Sequence, residues 1–197
     1  MIRLLATLAV RLAVASASAA SSYAGNLASL LDPATLATLG PRGANPRIQK
    51  AVYWQAVARQ HGQKPEAVLD QALAGKMPSN AAKLTKAALL RNLHIPRRLG
   101  CVDAEGLAEM REGNAPTVQS GPYEGDQLSV DHIITRSVAP ELDNVIANLE
   151  LMPQRMNVGK RDRVGERQVD LARRMHKAGM LSAKGLGGVE DASAQAR

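Results

Sequence analysis

Residues 128–134 read Leu-Ser-Val-Asp-His-Ile-Ile, and residues 148–152 read Asn-Leu-Glu-Leu-Met. Both segments alternate apolar and polar side chains, a pattern that is typical of half-buried strands. Residues 135–147 predict a connecting loop with one helical turn near Pro140, and residues 153–179 predict a long helical stretch. The main organisational prediction is therefore the order strand, loop, strand, helix.

The chain before this unit predicts several short helices punctuated by glycine and proline. Capping residues and apolar side chains at helical spacing predict helices over residues 46–60, 65–74, 79–95 and 103–111, with Ser79 and Asp103 as caps. Residues 113–127 are rich in glycine and proline and predict a loop. The fold class that we expect is α+β, a mainly helical chain with a small strand–strand–helix unit near the C-terminus.

The composition describes a basic protein without disulfides. Among 197 residues, 25 Lys and Arg stand against 18 Asp and Glu, giving a formal net charge of +7. This charge favours association with polyanions, either nucleic acid or an acidic membrane surface. Cys101 is the single cysteine, so the sequence excludes an internal disulfide and a zinc site built on paired cysteines.

The N-terminus has the layout of a leader segment. Residues 1–31 contain no acidic residue, and a short basic start precedes an apolar run and a series of small residues. This layout predicts a signal peptide over residues 1–22 and a secreted or periplasmic protein. Arg11 interrupts the apolar run and leaves two other interpretations open, an organelle transit peptide or a plain helix of a cytoplasmic protein. The run is too short to span a bilayer, and we expect no stable membrane insertion.

Four side chains in and after the two strands have the chemistry that phosphodiester cleavage requires. A histidine suits the deprotonation of water, because its unperturbed pKa of about 6.5 lies near the working pH, and His132 lies next to Asp131 on the first predicted strand. Asp131 and Asn157 offer oxygen atoms of the kind that hold a divalent cation. Asn148, at the start of the second strand, can hydrogen-bond across the hairpin and fix the loop next to His132.

The spacing of these residues resembles the motif of the HNH endonuclease family: Asp131-His132, Asn148, Asn157 and, three residues later, Lys160. The resemblance implies a ββα-metal unit, with His132 as the general base and Asp131 and Asn157 as ligands of one divalent metal ion. It implies that Asn148 supports the loop and the histidine. Because Asn rather than His stands last, the resemblance favours magnesium, with manganese as the alternative. This variant is similar to the HNH domain of CRISPR effector nucleases, where magnesium serves.

Three basic residues follow Asn157 within two helical turns and are candidates for phosphate contacts: Lys160, Arg161 and Arg163. The other basic residues of this region predict a solvated face of salt bridges. With these assignments the expected organisation is a signal peptide over residues 1–22, a helical region over 23–112, an HNH nuclease domain over 113–181 and a flexible tail over 182–197.

The function that we expect is a metal-dependent endonuclease, with DNA favoured over RNA as substrate. Two alternatives stay open. The first is a basic module that binds nucleic acid without cutting it. The second is an exported toxin with a dedicated inhibitor protein as its partner. Asn144 rivals Asn148 as the central asparagine, and we assign it to loop capping instead.

Overall fold

The computed structural model describes residues 21–31, 44–159 and 163–196. The chain is mainly helical, at 62% helix, with a two-stranded antiparallel sheet, which confirms the predicted α+β class. The helices are α1 (residues 21–28), α2 (Ala44–Gln60), α3 (Pro65–Leu73), α4 (Ser79–Arg98), α5 (Ala104–Glu112), α6 (Gln154–Gly159), α7 (Glu166–Lys177) and α8 (Ala183–Gln195). The strands are β1 (Leu128–His132) and β2 (Leu149–Pro153). Residues 1–20 of the predicted signal peptide lie outside the described residues, so a secreted or periplasmic location stays a prediction.

The boundaries of α2, α3 and α5 lie close to the predicted ones, but α4 differs at both ends. Ser79 is the first helical residue rather than the cap, because Pro78 takes the N-cap position and no side chain caps this end. The helix also continues through Pro96, which was expected to stop it. Pro96 sits in the last turn, where the helix still closes with a 3.2 Å bond from Leu99 N–H to Ile95 O. Pro96 lacks the N–H that would bond to Asn92 O, and only two residues of the helix follow it.

The predicted long helix over residues 153–179 is wrong, because it is split into α6 and α7. Helix α6 ends at Gly159, and Gly165 adopts an extended conformation as the N-cap of α7. Between them, the side chain of Val164 is buried in a hydrophobic cluster with residues of α7. The burial of Val164 holds the non-helical residues just before α7 against that helix.

The prediction of a flexible tail over residues 182–197 is also wrong, since α8 occupies most of this segment. Ser182 caps α8 by accepting a 2.9 Å hydrogen bond from Gly185 N–H, and its hydroxyl donates to Glu141 at 2.7 Å. Val189 is fully buried against the rest of the chain. A Cβ atom at Gly185 would collide with the carboxylate of Glu141, so this glycine permits close packing.

The hairpin shares its hydrophobic core with the preceding helices. Leu128, Leu149 and Leu151 belong to one buried cluster with side chains of α2, α3 and α4. The predicted boundary between residues 112 and 113 therefore does not separate two cores. A second cluster joins the loop between the strands to α7 and α8. In the described part of the chain, no helix has both the length and the apolar character needed to cross a membrane.

Candidate functional site

His132 is the last residue of β1, and its ring lies against the loop that connects the two strands. The Nε2 atom is 2.8 Å from the main-chain oxygen of Asp143 and 3.1 Å from its carboxylate oxygen Oδ1. A main-chain carbonyl oxygen can only accept a hydrogen bond, so Nε2 carries the hydrogen of the neutral ring. The lone pair is then on Nδ1, which is the basic atom of His132. With 24% of the side chain exposed, the ring can meet water and substrate.

Asp143 is a site residue that sequence reasoning missed. It follows the 3₁₀ turn at Pro140–Leu142, and its carboxylate contacts both His132 and Arg136, the latter at 3.5 Å. Through these contacts Asp143 holds the imidazole ring of His132 in a fixed orientation. No periodicity or spacing marks this aspartate, because it lies in irregular structure 11 residues after the histidine.

Asn148 fixes the loop through three hydrogen bonds. It immediately precedes β2 and is fully buried. Its Oδ1 accepts from Ile134 N–H at 2.8 Å, and its Nδ2 donates to Ile134 O at 2.9 Å and to Leu142 O at 3.4 Å. The predicted hydrogen bonding across the hairpin is therefore present. Because the side chain is buried, Asn148 positions the segment after His132 and does not itself reach the substrate.

The structure brings Asn157 to the face of the hairpin that carries Asp131. Strand alternation places Ser129 and Asp131 on one face, about 7 Å apart along the strand. Asn157, on α6, donates from Nδ2 to the hydroxyl of Ser129 at 3.0 Å. Ser129 itself donates to Met152 O at 3.4 Å, so its oxygen is the acceptor for Asn157. This arrangement orients the amide and directs its oxygen, the atom that binds cations, away from Ser129. Sequence reasoning missed Ser129, although its position two residues before Asp131 places it on that face.

The donor atoms of Asp131 and Asn157 fit a hard divalent cation. Magnesium takes oxygen ligands and keeps several waters, so one carboxylate and one amide oxygen can make up the protein's share. Within residues 21–31, 44–159 and 163–196, no group of three or more His, Cys, Asp or Glu side chains could hold a metal ion. The oxygen donors of Asp131 and Asn157 are of the kind that magnesium and manganese prefer.

Arginines gather around Glu150, which pairs directly with Asp131 in the strand register. Both carboxylate oxygens of Glu150 lie 2.8 Å from Nη2 of Arg167 on α7. Nε of Arg91 lies 3.2 Å from Glu150 Oε1, without the geometry of a hydrogen bond. Burial lowers the pKa of Arg91, Glu150 raises it, and Arg167 and Arg174 lower it further. The sequence placed Arg167 on a solvated face and gave no sign of this cluster beside Asp131.

Of the three predicted phosphate contacts, only Arg163 can be placed. Arg163 is exposed in the segment that leads into α7. Lys160 and Arg161 lie outside the described residues. Compared with known proteins, the chain matches no family model, no curated protein and no solved structure.

Proposed function

We propose that the chain is a metal-dependent endonuclease of the HNH type, which hydrolyses phosphodiester bonds of nucleic acid, with DNA favoured over RNA. The observation that carries this proposal is the contact of His132 Nε2 with Asp143 at 2.8 Å, because it makes Nδ1 the basic atom. Asp131 and Asn157, which meet one face of the same hairpin, support it.

The chemistry follows from the positions of these groups. Nδ1 of His132 takes a proton from a water molecule while the water oxygen attacks phosphorus, and the bond from phosphorus to the leaving oxygen breaks. The carboxylate of Asp143 stabilises the resulting imidazolium. Asp131 and Asn157 would hold Mg²⁺, which when bound supplies positive charge to the phosphate and to the leaving oxygen. Asn148 keeps the loop and the ring in place.

Plasmid nicking tests the proposal. We expect the protein to nick supercoiled DNA in magnesium or manganese and to stop in EDTA. His132→Ala should lower the rate by roughly 100-fold or more, the usual contribution of a general base. His94→Ala is the matched control, because His94 is exposed on α4 outside the hairpin, and it should cut like the wild type.

Three outcomes would contradict parts of the proposal. Cutting that persists in His132→Ala would assign the activity to another site. If DNA is left intact and single-stranded RNA is cut in a metal-dependent way, the substrate preference is wrong. Salt-dependent binding of both nucleic acids, with neither of them cut, would replace the nuclease by a binding module.

A further inference from the structure

We propose that Arg167 binds a phosphate of the nucleic acid at this site and that Glu150 positions it for that contact. The inference rests on the proposed nuclease function and adds a substrate contact outside the family-like motif. Arg167 lies ten residues beyond Asn157, on a separate helix, so the spacing of the motif does not point to it.

The first support is the position of the guanidinium. Glu150 and Asp131 are direct cross-strand partners, so their Cβ atoms are about 5 Å apart and their side chains leave the same face of the hairpin. Nη2 of Arg167 lies 2.8 Å from both carboxylate oxygens of Glu150. Glu150 therefore holds the guanidinium close to the proposed metal ligand Asp131, on the same face of the hairpin.

The second support is the contrast in exposure within this ion pair. The side chain of Glu150 is 12% exposed, whereas that of Arg167 is 62% exposed. A guanidinium offers five N–H donors, and Arg167 contacts Glu150 through Nη2 alone. Among the residues that the structure describes, none accepts a hydrogen bond from Nε or Nη1 of Arg167. Arg167 is thus held from the buried side while its remaining donors face solvent, where a phosphate can bind.

The third support is the local charge. The charges of Glu150, Arg167 and Arg174 act on Arg91, so three arginines contribute positive charge to this region. Asp131 and Glu150 contribute two negative charges, so the group carries an excess of one positive charge before any cation binds. A divalent cation on Asp131 would increase the excess. A positive excess attracts an anion, and a phosphodiester is the anion on which the proposed reaction acts.

An ion pair that only joined α7 to β2 would behave differently from a phosphate contact. Exposed ion pairs contribute little to stability, and the removal of one that does not touch nucleic acid leaves the salt dependence of binding unchanged. A phosphate contact changes the salt dependence, because each neutralised phosphate releases counterions. These two consequences can be measured separately.

The experiment compares Arg167→Ala and Arg167→Gln with Arg173→Ala. Arg173 is a matched control, since it lies on the same helix, is 61% exposed and also makes one ion pair, with Glu190 on α8. Plasmid nicking gives kcat/KM in magnesium, and fluorescence anisotropy with a short DNA duplex in EDTA gives affinity over a range of salt concentrations. Thermal melts establish that each variant is folded.

We expect both Arg167 variants to lower kcat/KM by roughly 10- to 100-fold and to reduce the slope of log affinity against log salt by about 1. Arg173→Ala should leave the cutting rate and the slope close to those of the wild type. Glu150→Gln should lower kcat without raising KM, because Arg167 keeps its charge but loses the carboxylate that positions it.

The inference is overturned if the Arg167 variants match Arg173→Ala in rate and in slope while the wild type cuts and His132→Ala does not. That result leaves the proposed nuclease function intact. Failure of the wild type to cut either DNA or RNA overturns the proposed function, and this inference falls with it. The two failures are therefore distinguishable.

Discussion

The side-chain oxygen of Asn92 accepts a 2.7 Å hydrogen bond from the backbone N–H of Leu151. Nδ2 of the same asparagine donates to Leu149 O at 3.0 Å, and Asn92 is 1% exposed. Helix α4 therefore presents to β2 the donor and acceptor that a third strand would present. The helical half of the chain completes the sheet on the side away from β1 and so holds the candidate site in place.

Asn92→Ala should lower the free energy of unfolding by about 1–3 kcal/mol, because it leaves the buried N–H of Leu151 without its acceptor. Leu149 O keeps a 3.1 Å hydrogen bond from Nη2 of Arg91, so only the N–H of Leu151 loses its partner. Urea denaturation measures the change. Asn80→Ala, at an exposed position of the same helix, should cost less than about 0.5 kcal/mol. Equal costs for the two variants would show that the Asn92 contacts do not stabilise the fold.

Asn148→Asp should destabilise the loop and slow cutting together. The substitution keeps the shape but replaces the Nδ2 donor by an oxygen that faces Ile134 O and Leu142 O. We expect a loss of about 2 kcal/mol or more in the free energy of unfolding. Asn144→Asp, at the half-buried rival position, should change stability and cutting little. An Asn148→Asp variant that cuts at the wild-type rate would remove Asn148 from the site.

Ser129→Ala should weaken metal binding although it removes no proposed metal ligand. The hydroxyl of Ser129 orients the amide of Asn157 through the 3.0 Å bond, and partners of this kind typically change metal affinity by about 10-fold or more. Calorimetric titration with Mn²⁺ measures the dissociation constant, which should rise roughly 10-fold. Ser120→Ala, in an exposed loop, is the control. An unchanged dissociation constant in Ser129→Ala would mean that Asn157 does not need this orientation or does not bind the metal.

The stability of the protein should fall in alkaline solution because of Cys101. Burial raises the pKa of this thiol to about 11, and the nearby Asp103 adds to the shift. Since an unfolded thiol has a pKa of about 8.5, the folded state holds its proton more tightly. The resulting stabilisation is fully present below about pH 8.5 and is lost as the pH rises towards 11.

Urea denaturation at pH 8 and at pH 10.5 tests this prediction. The wild type should lose about 1–2 kcal/mol more than Cys101→Ala between the two values. Parallel losses in both proteins would contradict the assignment of the alkaline effect to Cys101. At pH 8 the thiol should react with a disulfide reagent in urea and not in the folded protein.

Sequence patterns predicted those elements whose signals are local. Asp103 caps α5 by accepting a 2.8 Å bond from Gly106 N–H, three residues away, and this contact is visible in the sequence as a capping residue. The tail was mispredicted because its order depends on distant residues. Glu141 binds Ser182, 41 positions later, and nothing around residue 182 indicates that partner.

The same distinction applies to the candidate site. The alternation of the strands was enough to place Asp131 on a defined face. The partners of the predicted residues were not accessible, because they arise from the tertiary fold. Asp143 reaches His132 from an irregular loop, and Arg167 reaches Glu150 from a helix that the sequence did not separate from α6. Charge patterns along one helix suggested local ion pairs instead.

The side chain of Asn92 also bears on how the protein behaves at high concentration. A strand with an unpaired edge is a template on which another copy can add a strand and begin to aggregate. Here α4 covers the outer edge of β2, and the start of β1 is bonded to the preceding segment through Leu128 N–H and Pro116 O at 3.0 Å. A two-stranded hairpin alone is marginally stable in water. Coverage of the outer edge of β2 and of the start of β1 therefore limits the edge on which another copy could add a strand.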